Sequence, residues 1–151
     1  MTPIFQNQTP HPKTPGLFVD VEGTLIKAGR LNQNLYHDML VAQKRGIDVT
    51  IFTMAPVAGL RNSLKHLGVA TEQFAVKNKS DFHGHIFTDL IVDDLPPHYQ
   101  GFSAATPFVY DATGNALHVI VQDLEKHPRL AFKTALKNYI QRQKAVGTIQ
   151  R

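Results

Sequence analysis

From residue 16 onward, short apolar runs alternate with amphipathic stretches, and the two periods separate strands from helices. Leu17-Phe18-Val19, ending in Asp20, predicts a buried strand over 16–21. Leu31, Leu35, Met39, Leu40 and Ala42 recur at near-helical spacing over 31–44. That helix stops at Arg45-Gly46, a basic last turn followed by a glycine. A second buried strand is expected over 47–53. A second helix is expected over 57–67, with Pro56 at its start, Val57, Leu60, Leu64 and Leu67 on one face, and Gly68 at its end. Short strands are predicted at 74–76, 90–93 and 107–110. Asp111-Ala112-Thr113-Gly114-Asn115 signals a turn, after which 117–121 reads as a hairpin or edge strand. The last helix, 128–143, gathers Leu130, Phe132, Ala135, Leu136, Tyr139 and Ile140 on a broad face, with Lys133 and Lys137 on the exposed side.

Strands alternating with helices predict an α/β fold, a Rossmann-type parallel sheet of about five strands with helices on both faces. Residues 1–15 are polar and carry Pro3, Pro10, Pro12 and Pro15, which predicts a flexible leader. The expected organisation is that leader, one domain over 16–145, and a basic tail over 146–151.

At 151 residues and 42% hydrophobic, the chain suits one domain with a real core. It has no cysteine, so disulfide frameworks and thiolate metal sites are excluded. No apolar run is long enough to span a bilayer, and no basic-then-apolar signal opens the chain, so no membrane partner and a cytoplasmic location are expected. The net charge of +4 is unevenly spread. Lys126, Arg129, Lys133, Lys137, Arg142, Lys144 and Arg151 face no carboxylate beyond Glu125, whereas the chain up to Glu125 is mildly acidic. The basic C-terminal segment lacks interleaved aromatics, so nucleic acid is not the expected partner, although that helix leaves it open.

Three predicted strands deliver polar groups at their carboxyl ends, the edge where open α/β sheets bind ligands. These are Asp20 and Glu22 after the first, Thr53 at the end of the second, and Asp93-Asp94 after the fourth. Of the eight histidines, only His83 and His85 form a close pair, without a third ligand at metal-binding spacing, and a surface loop is expected there.

These segments resemble the four motifs of the haloacid dehalogenase-like (HAD) phosphohydrolase superfamily. Val19-Asp20-Val21-Glu22-Gly23-Thr24-Leu25 is similar to its Asp-x-Asp-Gly-Thr motif, with Glu in place of the second Asp. Val49-Thr50-Ile51-Phe52-Thr53 is similar to the strand ending in Thr or Ser. Lys77 and Lys79 both qualify as the lone lysine, and Leu90-Ile91-Val92-Asp93-Asp94 is similar to the paired-acid strand end. The resemblance covers residues 16–112 and implies a capless, Mg²⁺-dependent phosphomonoester hydrolase working through an aspartyl-phosphate. By that likeness Asp20 is the nucleophile and Glu22 the general acid and base, while Thr53 and Lys79 bind the phosphoryl group. Gly23 lets the backbone turn and bring amides to phosphate. The metal would be held by Asp20, the Glu22 carbonyl and Asp94, with Asp93 behind or sharing it. The intervals between motifs leave no room for a sizeable lid. An open site suits a small or macromolecular phosphorylated substrate, or closure by a homo-oligomer. The alternative is a weakly active or inactive binding module that docks a partner.

Overall fold

The computed structural model describes residues 13–14 and 16–145. Most of the expected leader and all of the expected tail therefore lie outside the described residues. Lys13–Thr14 (β1) do not behave as leader, because they pair with a central strand.

The chain runs through β2 (Leu17–Asp20), a hairpin of β3 (Ile26–Lys27) and β4 (Arg30–Leu31), α1 (Gln33–Lys44), β5 (Val49–Thr53) and α2 (Val57–His66). It continues through β6 (Ala75–Asn78), β7 (Ile86–Val92), β8 (Ser103–Asp111), α3 (Asn115–Lys126) and α4 (Phe132–Ala145). The main sheet has six strands, all paired parallel. Its order is β8-β7-β2-β5-β6, with β1 beside β7 in line with β2. The fold is therefore α/β and Rossmann-like, as the alternating pattern predicts.

Local chemistry explains the boundaries. Asn32 caps α1 by accepting from the Leu35 amide at 3.2 Å, which frees Leu31, where the periodicity predicted helix, to close a hairpin with Arg30. Ala28 and Gly29 turn that hairpin with positive φ at both positions, the geometry that matches strand twist. The segment 117–121, read as a hairpin or edge strand, belongs instead to α3. Its apolar residues Leu117, Ile120, Val121 and Leu124 follow helical rather than alternating spacing, and Asp111 anchors the first turn. The fifth strand is longer than expected, spanning Ser103–Asp111. The last helix begins at Phe132 rather than at Pro128.

The two faces of the sheet are covered differently. Leu17, Val19, Val49, Ile51, Leu90 and Val92 join one aliphatic core with the buried residues of all four helices. Phe18, Phe52, Phe87 and Ile91 form a separate cluster with Phe82 and Phe102. Helices were expected on both faces, but those between β6 and β7 and between β7 and β8 are replaced by short 3-10 turns, Lys79–Phe82 and Pro97–Gln100. Interlocking rings, such as the edge-to-face pair Phe18–Phe87 at 4.8 Å, close that side.

β2 is the point where the order reverses: the chain runs outward from it to β5 and β6, then crosses to β7 and β8. The crevice at the carboxyl end of β2 is the position where such sheets bind ligands.

Candidate active site

Asp20 ends β2, Thr53 ends β5, and Asp93-Asp94 follow β7, so parallel pairing with β2 in the middle sets them along one edge. Asn78, the last residue of β6, accepts from the Ser80 amide and so caps the 3-10 turn that carries Lys79 inward. Of the two candidate lysines, Lys79 is buried in the site and Lys77 is exposed on the outer strand.

The Lys79 Nζ lies 2.9 Å from Asp20 Oδ1, 2.9 Å from Asp93 Oδ2 and 2.7 Å from Gln100 Oε1. It also sits 4.9 Å from the centre of the Phe52 ring. These three partners match the three donors of an ammonium. Burial alone would lower the affinity of Lys79 for its proton. The hydrogen bonds and charges of Asp93 and Asp20 outweigh it and hold the pKa above the ordinary lysine value. Every donor is therefore committed to a group of the protein, and a phosphate contact by Lys79 would displace one of them.

Asp20 is buried, and burial pushes its pKa up to about 7, with the Asp93 charge adding to the rise and Lys79 opposing it. Its second oxygen, Oδ2, accepts from the Thr24 hydroxyl at 3.1 Å. The same hydroxyl accepts from the Asp94 amide at 3.2 Å, so Thr24 joins the ends of β2 and β7. Asp93 is fully buried and its oxygens accept from Lys79, the Gln100 amide at 2.9 Å and the Leu95 backbone at 3.0 Å. Carboxylate oxygens of Asp20, Asp93 and Asp94 lie within 4.8 Å of one another, and only Asp94 is exposed. An all-oxygen set of this kind suits a hard divalent cation such as Mg²⁺.

Glu22 is exposed, and its Oε1 accepts from the Thr53 hydroxyl at 3.4 Å. The Thr53 oxygen in turn accepts from the Ala55 amide at 3.0 Å. The Gly23 amide donates to the Ile26 carbonyl at 2.9 Å, so it is committed to the hairpin. Gly23 contributes in another way. Its φ is +81°, and a Cβ there would lie 2.4 Å from Asp94 Oδ2. Only glycine lets the Asp94 carboxylate close over this turn.

Thus Asp20, Glu22, Gly23, Thr53, Lys79, Asp93 and Asp94 are brought to one edge. His83 and His85 lie outside it: His83 is 6.2 Å from the Phe102 ring and His85 is 5.3 Å from Phe82, both on the aromatic side. Two residues of the site had no assigned role in the sequence. Thr24 sat inside a recognised motif. Gln100 sits in a loop after Pro96-Pro97 with no local signal, and only the fold brings it to Lys79.

No family profile and no curated protein matches this sequence. A solved structure described as a candidate HAD superfamily (subfamily III A) hydrolase from Legionella pneumophila is similar at 14% identity. The likeness covers 83% of this chain and 88% of that chain, with a TM-score of 0.40.

Proposed function

We propose that the chain is a Mg²⁺-dependent phosphomonoester hydrolase with Asp20 as nucleophile. The observation that carries this reading is the ionic arrangement around Asp20: a buried carboxylate gripped by Lys79, beside Asp93 and Asp94, at the switch point of the sheet. Asp20, Asp94 and the Glu22 carbonyl would hold Mg²⁺, which would supply positive charge against the incoming phosphate. Asp93 already accepts three hydrogen bonds, which suits it to positioning Lys79.

In the first step an Asp20 oxygen forms a bond to phosphorus as the bond to the leaving oxygen breaks, and Glu22 gives that oxygen its proton. In the second step water attacks phosphorus, Glu22 takes a proton from it, and the acyl-phosphate bond breaks to return the Asp20 carboxylate and release phosphate. Thr53 is placed to donate its hydroxyl to a phosphoryl oxygen once it lets go of Glu22. Lys79 favours the ionised form of Asp20 and orients it for attack. The residues at the mouth, Glu22, Met54 and Asp94, are exposed, and the hairpin and α1 alone separate β2 from β5. This openness supports the capless reading.

The test is hydrolysis of p-nitrophenyl phosphate in Mg²⁺ and after chelation. Turnover that vanishes with EDTA and returns with Mg²⁺ is expected; turnover indifferent to chelation would overturn the metal assignment.

A further inference from the structure

Among the described residues three large apolar side chains are exposed: Met54 by 71%, Leu95 by 44% and Tyr99 by 72%. Met54 and Leu95 stand just past the carboxyl ends of β5 and β7, and Tyr99 lies in the 3-10 turn that follows. Met54 follows Thr53 directly, and Leu95 follows Asp94 directly. Tyr99 precedes Gln100, whose side chain bonds both Lys79 and Asp93. Because β5 and β7 flank β2, Met54 rises on one side of Asp20 and the Leu95–Tyr99 turn on the other.

That second turn is held firmly. The Gln100 amide donates to the Leu95 carbonyl at 3.0 Å as well as to Asp93, and the Tyr99 backbone donates to Pro96 at 3.1 Å. His98 packs beside Tyr99 with ring centres 4.4 Å apart. Single exposed apolar residues are ordinary on a protein surface. Three in the segments that follow Thr53 and Asp94, with none elsewhere among the described residues, give this end of the sheet an apolar character.

The composition of the rim says what that suits. Met54-Ala55-Pro56 and Leu95-Pro96-Pro97-His98-Tyr99-Gln100-Gly101 contain no Lys, Arg, Asp or Glu. There is no cation for a second phosphate, and the one side-chain amide is already committed to Asp93, Leu95 and Lys79. With Glu22 serving the leaving oxygen and Asp94 the metal, a sugar or other polyhydroxyl group would find only the Tyr99 hydroxyl and the His98 ring as hydrogen-bond partners here. A flat apolar group would gain contact with Met54, Leu95 and Tyr99.

We propose that this rim receives the leaving group of the substrate, and that the leaving group is aromatic: an arylalkyl or aryl phosphate, free or as a phosphotyrosyl side chain. The inference deepens the hydrolase reading and relies on it for the seat of the phosphate.

The test compares benzyl phosphate with glycerol 3-phosphate, whose leaving alcohols are of similar acidity, so the ratio of kcat/KM reads recognition. The wild type is expected to favour benzyl phosphate by roughly tenfold or more. Met54→Ser and Tyr99→Ser should bring the ratio towards one by raising KM for benzyl phosphate, with glycerol 3-phosphate and the Tm unchanged. A wild-type ratio of one or less, or variants that slow both substrates alike, overturns the proposal. Calorimetric titration of the Mg²⁺-loaded protein with benzylphosphonate and methylphosphonate needs no turnover. A preference for benzylphosphonate that both variants lose upholds the rim, even if the protein hydrolyses nothing and the hydrolase reading fails alone. Equal binding overturns the rim alone; binding of neither overturns rim and phosphate seat together. Free phosphotyrosine and a phosphotyrosyl hexapeptide separate the sources. Tighter binding of the peptide assigns a polypeptide, and equal binding assigns a small molecule.

Discussion

Asp20 and Asp111 occupy equivalent places and do opposite things. Each is the last residue of a parallel strand, at the carboxyl edge of the same sheet, and each is 4% exposed. Asp111 is surrounded by backbone: Oδ1 accepts from the Gly114 amide and Oδ2 from the Leu117 amide, both at 2.9 Å. It thereby satisfies the Leu117 donor in the first turn of α3, while the Thr113 hydroxyl takes the Asn115 amide at 3.3 Å. Asp20 is surrounded by side chains, the Thr24 hydroxyl and the Lys79 ammonium. Backbone donors of a helix cannot leave, so Asp111 is fixed as structure. Side-chain donors can be exchanged for a cation or a phosphoryl group, so Asp20 is available for chemistry. A strand-end carboxylate takes its role from the kind of donor that meets it.

The same substitution at both positions sharpens this contrast most. Asp20→Asn is expected to lower kcat/KM for p-nitrophenyl phosphate by roughly a thousandfold or more while the fold persists. Asp111→Asn is expected to leave activity within about twofold and to lower unfolding stability by about 1–2 kcal/mol, read by urea denaturation. A protein whose activity tracks Asp111 instead of Asp20 would break the comparison.

Lys79→Met comes next, since it leaves Asp20 and Asp93 buried without their shared cation. Stability at pH 7 is expected to fall by about 3 kcal/mol, with activity down about a hundredfold. The stability loss should shrink in acid, where protonated carboxylates no longer repel, and urea titrations at pH 7 and pH 4.5 check this. Gln100→Ala is milder. It removes one donor from Asp93 and one acceptor from Lys79, and should cost about 1–2 kcal/mol and about tenfold in activity.

The smallest effect is expected at Asp38, a fourth buried carboxylate, on α1. One of its oxygens pairs with His118 Nδ1 at 3.0 Å, and the other, Oδ1, has no hydrogen-bond partner. Burial raises its pKa above 3.8 despite His118. A raised carboxylate pKa means the folded state prefers the protonated form. Its contribution to stability is greatest below 3.8 and declines as pH rises through the raised folded value. Asp38→Asn should therefore change stability by less than about 1 kcal/mol at pH 7 and flatten the pH dependence above pH 4. Melting curves across pH 4–8 read this directly.

Much of this was legible along the chain. Leu17-Phe18-Val19 and Leu90-Ile91-Val92 announced buried strands because a strand buried on both faces has no polar alternation to hide it. Asp20, Thr53 and Asp93-Asp94 were placed by the same logic, since a parallel strand delivers its last residue to one common edge. The segment 117–121 was misread because a short apolar run fits either period, and the cap that decides for helix is Asp111, six residues before Leu117. Lys77 and Lys79 could not be separated by spacing. Lys79 lies one residue past the end of β6, and the turn there carries it inward while Lys77 stays on the exposed outer strand.

The sequence by itself determined the strand and helix alternation, the carboxyl-edge acids and the glycine at 23, because each depends on local period or local backbone freedom. Tertiary structure alone decided that all four helices gather on one face and that Gln100 joins Lys79 and Asp93. It also decided that Met54, Leu95 and Tyr99 are the large apolar side chains left exposed among the described residues. These facts depend on which strands become neighbours, and contacts between residues far apart in the chain leave no trace in the spacing of either one.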